Sequence, residues 1–189
     1  PDLGDHPDLA RFAIPRPEQL DTTRPRYDEN WVAALELEQV RRYAVLFEVI
    51  MRSASRNGKG LQEIACEILS TQPYPIKRVM DLYGLGRFRI TQKADLDRDD
   101  DVYRSENAAP ADWIMLGNHD TPSIWQMVEK WQASGRAGQQ ARYLAGRLNI
   151  PPAEREQWIR RTAGAPGDLA LAKCADLFAG PARNVMIFF

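Results

Sequence analysis

The run Trp113-Ile114-Met115-Leu116-Gly117-Asn118-His119-Asp120 decides how the rest of the chain is read. Four apolar residues stopped by a glycine, then an amide, an imidazole and a carboxylate, describe a buried strand that opens onto a polar turn. Upstream, Ile64-Ala65-Cys66 leads into Glu67-Ile68-Leu69 in the same way, a short apolar run with a carboxylate near its end. Phe88 to Thr91 predicts another strand, and residues 184–189 a fourth. Helical patterns fill much of the remainder. Val40, Ala44, Phe47, Ile50, Met51 and Ala54 recur at three- and four-residue steps, predicting one helix over 38–56 that Asn57-Gly58 stops. Pro75 opens a second helix that runs to Tyr83 and is capped by Gly84. Further helices are expected at 123–134, 137–148, 153–163 and 168–178. Residues 1–31 carry Pro1, Pro7, Pro15, Pro17 and Pro25 and read as loop with short helical turns, and 93–112 is a polar, acidic stretch.

Strands alternating with helices predict parallel β/α units. About four strands amount to half of a closed eight-stranded barrel. The expected fold is therefore α/β, a partial (β/α)₈ TIM barrel comprising its C-terminal half with extra helices. Residues 1–37 form a Pro-rich loop region and 38–189 the β/α units of a single catalytic barrel. The start at Pro1 and the apolar end Val185-Met186-Ile187-Phe188-Phe189 read as a fragment of a longer protein.

Composition narrows the function classes. The 189 residues carry 25 Lys and Arg against 26 Asp and Glu, a net charge of -1. Binding to nucleic acid or to an anionic membrane needs clustered excess positive charge, so neither partner is expected. No apolar run approaches the roughly 18 residues of a membrane span, and the start shows no signal-peptide pattern. Two distant cysteines, Cys66 and Cys174, fit a reducing, cytoplasmic setting rather than a disulfide framework. His6 and His119 cannot build a His-rich metal centre, so no such metal site is expected.

In parallel β/α folds the chemistry lies at the carboxyl ends of the strands. Glu67 and Asp120 fall there, at neighbouring strand ends, and are expected to face one cleft. Glycoside chemistry uses such an arrangement, a proton donor and an anion around an oxocarbenium-like centre. The structural alternative pairs Glu67 with an Arg or Lys and uses Asp120 to cap the helix near Thr121-Pro122.

The run Ala65-Cys66-Glu67-Ile68-Leu69-Ser70, followed by Tyr83-Gly84-Leu85-Gly86-Arg87-Phe88-Arg89-Ile90-Thr91-Gln92, resembles the 4-α-glucanotransferase (amylomaltase, disproportionating enzyme) family. There an Ala-Glu-Asp-Leu-Gly strand end carries the acid/base, followed by a helix, a Phe-Gly-Leu-Pro-Gly turn and a strand ending near Gln. Gly117-Asn118-His119-Asp120-Thr121 with Trp125 resembles the family's Gly-Thr-His-Asp-Asn-Asp-Thr…Gly-Trp segment. Gly180-Pro181-Ala182-Arg183-Asn184-Val185 resembles the lead into its last barrel strand. The resemblance covers about residues 38–189. It implies transfer of α-1,4-glucan segments between malto-oligosaccharides by a retaining double displacement. Glu67 is implied as acid/base, Asp120 as a holder of sugar hydroxyls in the transition state, and His119 as a neighbouring donor, with Asn118 replacing Thr. Trp113 and Tyr103 are candidate sugar platforms near the strand-end face. Trp125, Trp131, Tyr143 and Trp158 are expected in the core, and Cys66 as a small buried hydrophobe.

The family's nucleophile is an Asp in an Arg-x-Asp-His segment. The only Arg-x-Asp before Glu67 is Arg26-Tyr27-Asp28, which lacks the His and sits among Pro25 and polar residues. The nucleophile is therefore expected upstream of Pro1, the chain alone is expected to be inactive, and the remainder of the parent catalytic domain is its implied partner. Three other readings compete. Gly117-Asn118-His119-Asp120 also matches the Gly-Asn-His-Asp signature of calcineurin-like metallophosphoesterases, whose two metals need further His and Asp ligands. Asp95-Leu96-Asp97-Arg98-Asp99, with Val102 and Glu106, mimics an EF-hand loop but has Asp100 where the turn needs Gly, and reads better as a solvated acidic loop. A helical interaction module without an active site is the third.

Overall fold

The structure, a computed structural model, describes residues 14–69 and 71–188. It is mixed α/β, with about half of the described residues helical and three short strands in one parallel sheet. Two compact units divide the chain, one drawn from Pro1–Ile64 and Ser70–Leu85, the other from Ala65–Leu69 and Gly86–Phe189.

The first unit holds α1 (Leu37–Tyr43), α2 (Val45–Arg56) and α3 (Tyr74–Tyr83). The single helix expected over 38–56 is two. Ala44 is fully buried and shares its N–H between the Val40 and Arg41 carbonyls, a tightening that breaks the regular ladder. Val40 and Ala44 enter a core with Val32, Leu35 and Val79, and Phe47 edges it. Beyond that the apolar stripe stays uncovered. No α2 residue is buried, and Val45, Leu46, Val49 and Ile50 are exposed. Ahead of α1, the buried amides of Gln19 and Gln39 exchange hydrogen bonds at 2.7 and 2.8 Å, fastening the turn at Pro17–Gln19. α3 begins behind Pro73, takes Pro75 in its first turn and ends at Gly84, whose φ of +65° suits glycine.

The second unit is built on β1 (Phe88–Ile90), β2 (Trp113–Leu116) and β3 (Asn184–Ile187), parallel and in the order β1-β2-β3. Phe88 pairs with Trp113, and Trp113 with Asn184. The strand expected at 64–66 is reduced to a parallel bridge between Cys66 and Arg87, on the edge of β1. The Ile68 N–H turns back to the Cys66 carbonyl at 2.8 Å, which interrupts regular pairing, and the Ile68 carbonyl then accepts the Phe88 N–H of β1 at 3.1 Å. The central strand explains its own composition. Ile114, Met115 and Leu116 are all fully buried, so both faces of β2 are covered.

Four helices fill the connection from β2 to β3, namely α4 (Ile124–Ala133), α5 (Ala137–Arg147), α6 (Pro152–Gly164) and α7 (Pro166–Phe178). Their apolar faces close over Ile114 and Leu116, with Val128, Leu144, Leu169 and Leu177 at the centre. No helix among the described residues is long and apolar enough to cross a membrane.

The β1–β2 connection carries only short 3₁₀ turns and is held by polar clamps. Asp112, buried, accepts the Arg87 and Ala109 N–H groups and the Arg89 guanidinium. Further along, Ser105 donates to Asp176 of α7 at 2.6 Å, and Arg104 lies over the Tyr143 ring of α5. Where the chain enters β1, Gly86 lies directly against the Ala111–Asp112 backbone, and a Cβ there would overlap main-chain atoms that cannot swing aside. Gly86→Ala is therefore expected to destabilise the protein by about 1–3 kcal/mol, read as a lower urea midpoint. A midpoint equal to that of the unaltered protein would contradict this packing.

Candidate active site

Glu67 leaves the sheet edge just after the Cys66–Arg87 bridge. Asp120 comes from the turn beyond β2. Although far apart in sequence, they meet with His119, and their ligand atoms all lie within 4.8 Å of one another. The His119 Nε2 is 3.4 Å from Asp120 Oδ2, and both side chains are largely exposed.

The turn that presents them is built by its neighbours. Gly117 leaves β2 with φ of +77°, a left-handed step that redirects the chain. Thr121 Oγ1 accepts the Asn118 N–H at 2.8 Å and donates to the Asn118 carbonyl at 3.1 Å. Asn118 Oδ1 accepts the Asp120 N–H at 3.2 Å, an Asx-type turn that fixes the carboxylate's backbone. Asn118 was expected to touch substrate, but it is 6 % exposed and shapes the turn from beneath. Gln92, at the end of β1, is equally buried. It donates to the Pro122 carbonyl at 2.7 Å, tying the far end of the same turn. The resemblance placed Gln92 in register, but only its contact with Pro122 reveals that it holds the turn.

Neither half of the structural alternative describes this site. The N-cap of α4 is Ser123, which forms a reciprocal capping box with Gln126, so Asp120 is not spent on the helix. Among the described residues no Lys or Arg pairs with Glu67 or Asp120. Two accessible carboxylates, uncompensated except by an imidazole, are thus presented to solvent. Beside them Cys66 is half-buried, and burial pushes its thiol up, away from the reactive thiolate.

Of the two platform candidates, Trp113 lies elsewhere. Trp113 opens β2, at the opposite end of the strand from the turn that bears His119 and Asp120, so it is not beside them. Tyr103 sits in the β1–β2 connection with its N–H on Asp101, and among the described residues no hydrogen bond links it to the cluster. Trp131 is buried, and Tyr143 and Trp158 pack against the core as expected. Trp125 is the exception, half exposed in the first turn of α4 because the buried face runs through Ile124 and Val128.

The competing motifs find little to work with. Glu67, His119 and Asp120 form the one group of metal-capable side chains among the described residues, too few for a two-metal phosphoesterase. His6 lies outside the described residues. In the EF-hand lookalike, Asp99 pairs with Arg104, Asp100 with Arg98, and Asp97 accepts from Gln139, so its carboxylates are spent. Asp28 is likewise engaged locally, accepting the Asn30 N–H and facing Arg24 at 3.3 Å. No family model matches the chain, and no curated protein or solved structure matches it either.

Proposed function

We propose that this chain carries the acid/base of a 4-α-glucanotransferase that passes α-1,4-glucan segments between malto-oligosaccharides by a retaining double displacement. The observation that carries the reading is the meeting of Glu67 and Asp120, with His119 beside them, in a position left open to a substrate. The strand order supports a barrel as the setting. Successive parallel strands lie side by side in chain order, as they do in a barrel.

In this reading Glu67 gives its proton to the leaving glycosidic oxygen and then takes one from the incoming sugar hydroxyl. Asp120 accepts hydrogen bonds from sugar hydroxyls, and these strengthen as positive charge develops on the ring. His119 donates alongside. The covalent step needs a second carboxylate as nucleophile. The resemblance assigns it to an Arg-x-Asp-His segment that this sequence does not contain, so the remainder of a catalytic domain is the implied partner. No redox or nucleotide cofactor enters the chemistry.

Glucan recognition is testable without turnover. Titration of the chain with maltoheptaose, followed by calorimetry, is expected to show binding that Asp120→Ala weakens about tenfold or more, the value of a charge-assisted hydrogen bond. Cellohexaose, with β-linkages, is the negative control. Equal affinity for both glucans, or for both protein variants, would remove the site from carbohydrate recognition.

A further inference from the structure

We infer that Glu67, His119 and Asp120 also form a binding site for a borderline divalent cation, Zn²⁺ fitting best, and that the bound ion blocks the site. The blocking half rests on the glucanotransferase reading; the binding half does not. Two independent observations carry it. The first is geometric. Three side chains of zinc-ligand type, from two separate segments, converge with their ligand atoms within 4.8 Å. In a tetrahedral zinc site, ligand atoms stand about 3.3 Å apart, as follows from bonds of about 2.0–2.1 Å. Closing the remaining ångström or so is a matter of rotamer changes in three exposed side chains.

The second observation is electrostatic. Among the described residues no Lys or Arg pairs with Glu67 or Asp120, so neither carboxylate is held by a competing cation. A divalent ion forms a neutral complex with two carboxylates and one imidazole. Ligand chemistry selects the ion. Calcium takes six to eight oxygens and magnesium an octahedral shell rich in water, whereas one nitrogen and two oxygens around an open fourth position suit zinc. The turn is already set by Asn118, Thr121 and Gln92, so little backbone entropy is lost on binding.

The consequence follows from shared atoms. A Glu67 oxygen bound to zinc cannot carry a proton to a glycosidic oxygen, and Asp120 bound to zinc cannot accept a sugar hydroxyl. Zinc and glucan therefore exclude each other.

The test is calorimetric titration of the untagged, chelator-stripped chain with ZnCl₂, with MgCl₂ and CaCl₂ as comparisons. One zinc per chain is expected, with no heat from magnesium. His119→Ala and Glu67→Gln are each expected to weaken zinc about tenfold or more, while circular dichroism and melting temperature stay unchanged because both side chains are exposed. Zinc at saturating concentration is expected to abolish maltoheptaose binding. Absence of zinc binding, unchanged affinity in both variants, or loss of binding in Cys66→Ser but not His119→Ala would each overturn the assignment. The two readings separate cleanly. Zinc held by the three residues with no glucan binding at any zinc level leaves the metal site standing and sinks the glucan reading. Glucan binding without zinc binding does the reverse.

Discussion

In the full-length gene product, Glu67→Gln is expected to lower maltotriose disproportionation by about 10²- to 10⁴-fold, the range that general acid–base catalysis supplies. Stability is expected to be unchanged, because Glu67 is exposed and, among the described residues, pairs with no cation. The amide keeps the size and hydrogen-bonding reach of the acid but has no proton to give the departing oxygen. It also cannot take one from the acceptor sugar, so both half-reactions suffer. Release of glucose and appearance of longer oligomers, followed by chromatography, measure the loss. A second arm isolates the role. With α-glucosyl fluoride the leaving fluoride needs no acid, and azide as acceptor needs no base. The variant is therefore expected to recover with azide and to form glucosyl azide. Asp120→Asn, whose fault lies in transition-state stabilisation, gains nothing from azide. Near-normal disproportionation by Glu67→Gln would refute the acid/base assignment.

The second large effect concerns the fold. Asp176→Ala is expected to destabilise the protein by about 3–5 kcal/mol, the cost of leaving a buried charge without its partner. For a chain of this size that lowers the melting temperature by roughly 10 °C. Asp176 and Lys173 are both completely buried on α7 and lie 3.1 Å apart. The other Asp176 oxygen takes the Ser105 hydroxyl at 2.6 Å and the Arg147 guanidinium at 3.2 Å. Glu106 completes the network, accepting the Tyr143 hydroxyl at 2.6 Å and facing Arg104 and Arg147. Removing the Asp176 carboxylate strands Lys173 and frees the Ser105 anchor of the β1–β2 connection. Asp176→Asn, which keeps the hydrogen-bond acceptor but not the charge, is expected to fall between. A melting temperature for Asp176→Ala within about 2 °C of the unaltered protein would mean that water reaches Lys173.

The same network sets an acid limit. Burial pushes the Tyr143 phenol far above its ordinary value, and the Asp176 and Glu106 charges push it further, so it remains a donor at all working pH. Burial also raises Glu106. The Tyr143 hydroxyl, a backbone N–H, and the Arg104 and Arg147 charges outweigh it and leave the carboxyl below its ordinary value. A depressed carboxyl contributes stability that is fully present above its unfolded value of 4.5 and is lost as pH falls through the folded one.

Much of this molecule is local and was legible in its residues. The apolar run at 113–116 is a strand because four apolar side chains in a row need cover on both faces. Helices α3 to α7 stand where helices were expected, with Pro75 and Gly84 punctuating α3, and in the structure Pro152 and Pro166 open α6 and α7. The turn Gly117–Thr121 is likewise local, made by residues that hydrogen-bond within it. Other features depend on residues remote in sequence. The stretch at 64–66 has strand composition, but a ladder needs a partner in register, and the Ile68 turn leaves it one bridge. Val40 to Ala54 read as one stripe, but the helix is interrupted at Ala44, whose N–H is shared between the Val40 and Arg41 carbonyls, and its second half stays uncovered.

The charges divide in the same way. Lys173 and Asp176 look like surface residues of an amphipathic helix, and only Ser105, Tyr143 and Arg147, arriving from elsewhere, make their burial affordable. Asn118 and Gln92 look like exposed polar groups, and turn inward because the Asp120 N–H and the Pro122 carbonyl need partners there. The sequence by itself determined that Asp120 follows a strand and Glu67 a short apolar run, since that depends on neighbours along the chain. That Glu67 and Asp120 come within 4.8 Å, with no cation between them among the described residues, was decided only by tertiary structure. Separation in space and compensation of charge are properties of folded neighbours, and local sequence does not encode them.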